Sequence, residues 1–205
     1  PARPGAAPVS LQAETARVLP VLRRLRRATA APIGVDTVKA GLARAALDEG
    51  ADLVNDISAL RFDPGMAAVV ADAGAWIVLM HMQGTPATMQ QQPRYGDVVA
   101  EVCDFLRERA GHAIRCGIAG DRIILDPGIG FGKTLQHNLA LLASNAVASL
   151  GHPALVGCSR KAMIGALTGR PAPEHRLPGS LGAAAAAVLH GASILRVHDV
   201  RETVE

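Results

Sequence analysis

Residues 32–56 read PIGVDTVKAGLARAALDEGADLVND, and this stretch decides the fold. A short apolar run, Pro32–Asp36, ends in a carboxylate. An Ala- and Leu-rich stretch from Thr37 to Gly50 follows, and a second apolar run, Asp52–Asp56, ends in the same way. Short apolar runs that alternate with helical stretches predict parallel strands joined by right-handed crossovers.

The same unit recurs along the chain. Helices are predicted where a capping residue opens an apolar periodic stretch and, in most cases, a glycine closes it. They run from Ser10 to about Ala28, from Thr37 to Gly50, from Asp63 to Gly74, from Asp97 to Gly117 and from Ser180 to Gly191. The six predicted strands are Pro32–Asp36, Asp52–Asp56, Trp76–His81, Ile123–Asp126, Ala154–Ser159 and Ser193–His198. We therefore predict one α/β domain over residues 1–205.

A polar residue stands at the carboxyl end of every predicted strand. A doubly wound sheet gathers its site near one switch point, whereas in a (β/α)8 barrel many strands contribute to a site at their carboxyl ends. The pattern favours a (β/α)8 TIM barrel, so two of its strands are expected to be missing from this sequence.

The composition excludes several classes of function. The chain of 205 residues is 49% hydrophobic, 19% charged and only 2% aromatic, which predicts a core of Ala, Val, Leu and Ile. The net charge is +3, and the basic run Arg23–Arg27 is typical of a solvated helix face, so no nucleic-acid partner is expected. No apolar run is long enough for a membrane span, and three cysteines without metal spacing indicate reduced thiols in a cytoplasmic protein.

Eleven ionisable or amide side chains fall at or just past the predicted strand ends. Any one of them has an ordinary alternative role as the cap of the next helix. Together they predict a site for a ligand that has donor and acceptor edges and an anionic group. They are Asp36, Asn55, Asp56, His81, Asp126, Ser159, Arg160, Lys161, Arg196, His198 and Asp199.

Two stretches are the most specific. DPGIGFGK at 126–133 resembles a phosphate-binding glycine loop but lacks the P-loop spacing. The carboxylate of Asp126 is suited to two parallel hydrogen bonds from an amidine-like edge. In GCSRK at 157–161, strand alternation should direct Arg160 and Lys161 differently, so that only one faces the ligand.

Seven motifs then occur in order: RPGA (3–6), IGVDT (33–37), VNDI (54–57), LMHMQG (79–84), DPGIGFGK (126–133), GCSRK (157–161) and RVHDV (196–200). This combination resembles the dihydropteroate synthase family. The resemblance implies a (β/α)8 transferase of folate biosynthesis that condenses 6-hydroxymethyl-7,8-dihydropterin diphosphate with p-aminobenzoate, assisted by Mg²⁺. Sulfonamides compete at the family's p-aminobenzoate site, and a homodimer is possible by the same resemblance.

The resemblance also implies roles for individual residues. Asp126 would accept from the pterin 2-amino group and N3, Asn55 and Asp36 would contact the other side of the ring, and Lys161 would donate to its carbonyl. Ile57 and Met80 would cover the ring faces, Phe131 and Ser159 would shape the p-aminobenzoate site, and Arg3, Arg196 and His198 would bind the diphosphate. The catalytic set would be Asp36, Lys161, Arg196 and His198.

The proposed chemistry needs no nucleophilic side chain, because diphosphate departs from a methylene on an electron-rich ring and leaves a delocalised cation. Ser159 and Cys158 are therefore not expected to act covalently. For His81 we predict a structural, hydrogen-bonded role.

The sequence departs from the family at both ends. Family members have two further strands before the Arg-Pro-Gly motif, and the metal-site Asn lies in that missing segment. A closing helix follows their last strand, where this chain has only Arg201–Glu205. This span alone is accordingly expected to be poorly active. Two alternatives are a non-catalytic pterin-binding remnant and a pterin-dependent methyltransferase domain.

Overall fold

The computed structural model describes residues 9–205. Helices and strands alternate along this span, as the sequence predicts. In chain order the elements are α1 (Leu11–Ala28), β1 (Gly34–Asp36), α2 (Ala40–Asp48), β2 (Leu53–Asp56), α3 (Met66–Ala73), β3 (Trp76–Met80), α4 (Val98–Arg115), β4 (Ile123–Asp126), α5 (Leu135–Leu142), β5 (Leu155–Val156), α6 (Ala162–Thr168), α7 (Leu177–Leu189), β6 (Ile194–Leu195) and α8 (Val200–Val204). Three short 3₁₀ turns lie at Gly120–Arg122, Ala148–Leu150 and Pro173–His175.

All six predicted strands are present, and every pairing is parallel. β1 to β4 form one sheet in chain order, and β5 pairs with β6. A single bridge between Leu125 and Ala154 joins the two sheets. β5 and β6 are shorter than predicted, because the chain leaves the ladder after Val156 and Leu195 and enters the loops that carry polar site residues.

β3 and β4 are buried on both faces, which explains their continuous apolar sequence, whereas Gly34 and Asp36 of β1 are exposed. Ile77 and Leu79 belong to the main core, which also contains residues of α2, α3 and α4. Val78, between them on β3, belongs to a second cluster with Ile124 and Leu155. Strand alternation thus separates a helix-covered face from an inner face.

Local capping chemistry explains the helix boundaries. The side chain of Ser10 accepts a hydrogen bond from the backbone N–H of Ala13, and α1 ends at Ala28 as predicted. Asp97 caps α4 in the same way. α7 begins at Leu177, three residues before the predicted start at Ser180, because Pro178 suits the first turn, where no N–H donor is needed.

Three helices have no counterpart in the sequence prediction: α5, α6 and α8. They contain eight, seven and five residues, too few to show a clear helical period. α8 begins directly after Asp199. A five-residue helix therefore follows the last strand, and the absence of the family's closing helix stays a prediction.

Two further sequence expectations concern the whole chain. In the span 9–205, no helix combines the length and apolar character needed to cross a bilayer. Cys103, Cys116 and Cys158 are free thiols, and the first and last of these are buried.

Candidate active site

An open cleft of about 340 Å³ lies on the inner face of the sheet. The face is formed by side chains from β1, β2, β3 and β5 and from the residue that follows β6. The lining residues are Gly34, Asp36, Leu53, Asn55, Val78, Leu155 and Arg196. The cleft is of a size that suits a small heterocyclic ligand.

Asp36 is the centre of a polar chain at one wall of this cleft. The amide nitrogen Nδ2 of Asn55 donates to Oδ1 of Asp36 at 2.9 Å, and Nη2 of Arg196 donates to Oδ2 at 2.5 Å. More than half of the surface of both side chains in the Asp36–Arg196 ion pair is exposed, so Arg196 is accessible to an anionic ligand.

The carbonyl oxygen Oδ1 of Asn55 is buried and accepts no hydrogen bond from any of the residues at 9–205. A buried acceptor without a donor is unfavourable in a folded protein. Asn55 lines the cleft, and an N–H group of a ligand would reach this oxygen only if the side chain moved.

Asp126 and Lys161 form the charged centre of the site. Asp126 is buried and Lys161 is half-buried. Burial raises the pKa of Asp126 and lowers the pKa of Lys161, while the opposite charge of each partner counteracts the shift. The backbone N–H of Gly128 donates to Oδ1 of Asp126 at 2.7 Å. The ammonium of Lys161 donates to the carbonyl of Ile129 at 2.5 Å.

Arg160 and Lys161 leave the chain in different directions, as predicted, but for a different reason. β5 already ends at Val156, so strand alternation does not act on these residues. Arg160 instead adopts a left-handed conformation with φ of 57°. Its backbone N–H donates to the hydroxyl of Ser180 at 3.0 Å, and its guanidinium pairs with Asp199.

Ser159 and His198 meet beside this turn. The hydroxyl oxygen of Ser159 accepts the backbone N–H of His198 at 3.3 Å and lies 3.1 Å from Nδ1 of its ring. These side chains come from the loops after β5 and β6. The structure therefore brings together the two loops that carry the predicted p-aminobenzoate and diphosphate residues.

The glycine loop after β4 forms the other side of the site. Phe131 packs with Ile57 and Met80 in a small apolar cluster, and the Nζ atom of Lys161 lies 4.9 Å from its ring centroid. Gly128 has φ of 68°, and a Cβ atom at this position would lie 1.9 Å from the carbonyl oxygen of His81. Only glycine fits there, which explains this residue in the motif.

Side chains outside the predicted set stabilise the glycine loop. The amide of Gln90 donates to the Gly130 carbonyl, and the hydroxyl of Tyr95 donates to the Gly132 carbonyl, each at 2.7 Å. Asn138 accepts the N–H of Gly130 at 2.7 Å. Sequence reasoning missed Gln90 and Tyr95, because they lie 40 and 37 residues from the glycines that they bind and no local motif links them. It missed Asn138 because this residue lies in α5, a helix that was not predicted.

His81 has the structural role that the sequence predicts. It is 6% exposed, and its Nδ1 atom lies 2.9 Å from the Nζ atom of Lys133. Burial, together with the nearby charge of Lys133, lowers the pKa of His81 to about 3. Burial also lowers the pKa of Lys133 to about 7.

Of the eleven predicted rim residues, only Asp36, Asn55 and Arg196 line the cleft itself. Three of the others are occupied by contacts within the protein, and one further predicted binding residue lies outside the described span. Asp56 is 1% exposed and accepts the backbone N–H groups of Ser58 and Leu60, each at 2.8 Å. Arg160 and Asp199 pair with each other instead. Arg3 precedes residue 9, where the description of the structure begins.

The described residues do not fit a magnesium site. Between residues 9 and 205, no three His, Cys, Asp or Glu side chains come together in a way that would hold a cation. The Asp36 carboxylate is already paired with Arg196. We therefore derive no catalytic step through a metal.

Comparison with known proteins identifies the family. A family model described as "Pterin binding enzyme" matches residues 1–198. This chain belongs to the pterin-binding enzyme family. It is 47% identical to the dihydropteroate synthase of Escherichia coli K12 over 206 residues, which cover 99% of the chain and 72% of the relative. It is 45% identical to the dihydropteroate synthase of Synechocystis, with 97% and 69% covered.

Solved structures of pterin-binding enzymes agree in fold. A Xanthomonas albilineans dihydropteroate synthase with 4-aminobenzoic acid has a TM-score of 0.93 at 48% identity, covering 98% of this chain and 72% of that one. A Yersinia pestis dihydropteroate synthase with a sulfonamide drug has a TM-score of 0.95 at 43% identity, covering 99% and 74%. The resemblance seen in the motifs is confirmed, and the chain is a transferase of this family.

We predict that Asp56→Asn destabilises the protein without acting on the cleft. The amide presents an N–H group to backbone donors that now bind a carboxylate, so the free energy of unfolding should fall by about 1–3 kcal/mol. Urea unfolding measures the change. Asp104→Asn, at an exposed position on α4, is the matched control and should change the same quantity by less than about 1 kcal/mol. Equal effects at the two positions would contradict the structural role of Asp56.

We also predict an acid-dependent contribution of His81 to stability. In the folded state His81 stays neutral down to about pH 3, whereas in the unfolded chain it is protonated below about pH 6.5. The free energy of unfolding should therefore decrease as the pH falls below 6.5. The slope is at most about 1.4 kcal/mol per pH unit. Urea unfolding from pH 7 to 4 should show a shallower loss for His81→Gln than for the parent, with exposed His175→Gln as control. Parallel pH curves for parent and His81→Gln would argue against this.

Proposed function

We propose that this protein is a dihydropteroate synthase, which joins 6-hydroxymethyl-7,8-dihydropterin diphosphate to p-aminobenzoate and releases diphosphate. The observation that carries the proposal is that the charges of the buried Asp126 and the half-buried Lys161 act on each other at the carboxyl-end rim, where Asn55 also lines the cleft. Structures of relatives have been solved with a substrate and with the product of this reaction. The relative from Thermus thermophilus is in complex with 4-aminobenzoate, and the relative from Burkholderia cenocepacia is in complex with 7,8-dihydropteroate.

The pterin would be recognised by complementary hydrogen bonds. The carboxylate of Asp126 accepts a hydrogen bond from the N–H of Gly128 and can accept further ones. These would come from the 2-amino group and N3 of the pterin ring. The unpaired oxygen of Asn55 suits another ring N–H, and Lys161 would donate to the ring carbonyl. Ile57 and Met80 supply apolar surface for the ring faces.

The p-aminobenzoate would bind between the glycine loop and the loops after β5 and β6. Phe131 offers a ring edge or face to the aromatic amine. Ser159 has a hydroxyl that already orients His198 at 3.1 Å. Neither residue needs to react.

The anionic end of the pterin substrate would lie near Arg196 and His198, with Arg3 joining them. Departure of diphosphate requires cationic groups that stabilise the leaving oxygen. Arg196 is exposed and paired with Asp36, so a bound diphosphate would compete with that carboxylate for the guanidinium. Asp36 would then be free to accept a hydrogen bond from the pterin.

The finer features of the fold and assembly belong to the same proposal. Six parallel strands that lie in chain order are consistent with part of a (β/α)8 barrel, and the chain spans about 72% of the length of a curated relative. We treat residues 1–205 as one domain of that barrel. Mg²⁺ as the assisting cation, a homodimer and low activity of this span alone stay predictions.

Two alternatives remain distinguishable by chemistry. A pterin-dependent methyltransferase has a substrate without diphosphate, so it would not need Arg196 and His198, and the curated relatives are named synthases. A non-catalytic remnant would bind pterin but form no product. Measuring binding and turnover on the same preparation separates these possibilities.

We predict that Asp126→Asn and Arg196→Ala affect different parts of the substrate. Asp126→Asn should weaken binding of a hydroxymethylpterin without diphosphate by about 2–4 kcal/mol, because an amide donor then faces the ring N–H groups. Arg196→Ala should weaken only the diphosphate-bearing pterin, and this loss should shrink at high salt.

Titration calorimetry with both pterins measures the effect, and product formation from p-aminobenzoate tests the reaction. Arg115→Ala, which removes an exposed cation at the carboxyl end of α4, is the control for charge alone. The assignment is wrong if both site variants weaken the pterin without diphosphate equally. Pterin binding without any product by the native protein, and not only by residues 1–205 alone, would favour the remnant.

A further inference from the structure

Lys133 is a buried cation that the proposed reaction does not use. It is only 3% exposed, and its ammonium faces three acceptors. The Nζ atom lies 2.9 Å from Nδ1 of His81, 3.0 Å from the Phe131 carbonyl oxygen and 3.4 Å from the His81 carbonyl oxygen. An ammonium has three N–H donors, so this geometry matches its full capacity.

His81 is held rigidly on the opposite side of this contact. Its ring packs edge-on against Phe105 with centroids 4.9 Å apart, and it lies 6.0 Å from the ring of Tyr95. The ammonium of Lys133 can only donate, so Nδ1 is the acceptor in this contact, and the lowered pKa of His81 agrees with a neutral imidazole. The end of β3 thus offers a fixed anchor to the glycine loop.

The two halves of the site are anchored by different means. Asp126 is in β4 and pairs in register with Met80, and its carbonyl accepts the N–H of His81 at 3.0 Å. Phe131 lies five residues further on, outside any strand, and its carbonyl accepts from Lys133. Loss of the lysine contact should therefore disturb Phe131 while the strand still holds Asp126.

We propose that Lys133 and His81 are positioning residues that place Phe131 for the aromatic amine substrate. The inference rests on the proposed synthase function. Without the ammonium, the Phe131 carbonyl and Nδ1 of His81 lose a buried donor, and the loop must rearrange to find another. The ring of Phe131 then moves relative to Lys161, and the amine no longer points along the line of attack on the methylene carbon.

The test compares substitutions in the native protein. Lys133→Met preserves length and removes the donors, His81→Phe preserves a ring and removes the acceptor, and His81→Gln retains an acceptor. Lys39→Met is the matched control, because Lys39 pairs with Glu14 of α1 and has no contact with the loop. For each protein we measure the Kd for the pterin diphosphate and, in steady state, the KM for p-aminobenzoate and kcat.

Lys133→Met and His81→Phe should each raise the KM for p-aminobenzoate about tenfold or more, while the pterin Kd stays within about twofold. His81→Gln should recover part of the loss, and the double variant Lys133→Met with His81→Phe should be no worse than the more impaired single variant, because the pair acts as one unit. Lys39→Met should leave both constants unchanged.

An unchanged KM for p-aminobenzoate in Lys133→Met, or an equal rise in the pterin Kd, would overturn the inference. If Lys133→Met does not fold, the contrast between His81→Phe and His81→Gln decides by the same criteria. Absence of product from the native protein, as distinct from the low turnover expected of residues 1–205 alone, would instead overturn the proposed function, so the two failures are distinguishable.

Discussion

The register of the parallel strands is the constraint on which the rest of the structure depends. Asp36 pairs with Asn55 across β1 and β2, and Met80 pairs with Asp126 across β3 and β4. Since parallel strands end at the same edge of a sheet, this register places residues from separate units around one cleft. A slip of one residue would turn Asn55 away and direct Asp56 into the cleft instead.

Burial of charge is the second organising feature. Asp126 and Lys133 are buried and Lys161 is half-buried, and burial disfavours the charged form of each group. Their opposite charges offset part of this cost, and backbone groups supply further hydrogen bonds. A ligand with hydrogen-bond donors for Asp126 and an acceptor for Lys161 would pair the hydrogen-bonding groups that remain on these two side chains. The burial that lowers the stability of the free protein therefore favours selective binding of such a ligand.

The loops around the cleft are fixed by unusual backbone conformations. Gly128, Gly130 and Gly132 have positive φ, which lets the chain pass close to the end of β3. Arg160 has positive φ without being glycine, at a cost on the order of 1 kcal/mol. Its contacts with Asp199 and Ser180 hold this conformation, while the neighbouring Lys161 extends to the glycine loop, where it donates to the Ile129 carbonyl.

Local patterns in the sequence were sufficient for the six parallel strands, for the start of α1 at its Ser10 cap and for the set of polar residues at one rim, because apolar periodicity and capping act over a few residues. They did not predict the short helices α5, α6 and α8. They also did not show that Asn55 lines the cleft while its neighbour Asp56 is buried away from it. The motifs, taken in order, also indicated the family. Only the tertiary structure decided that Arg196 pairs with Asp36, 160 residues away, and that Lys133 meets His81, 52 residues away. Such contacts depend on how whole strands and loops pack together, and no local periodicity records that arrangement.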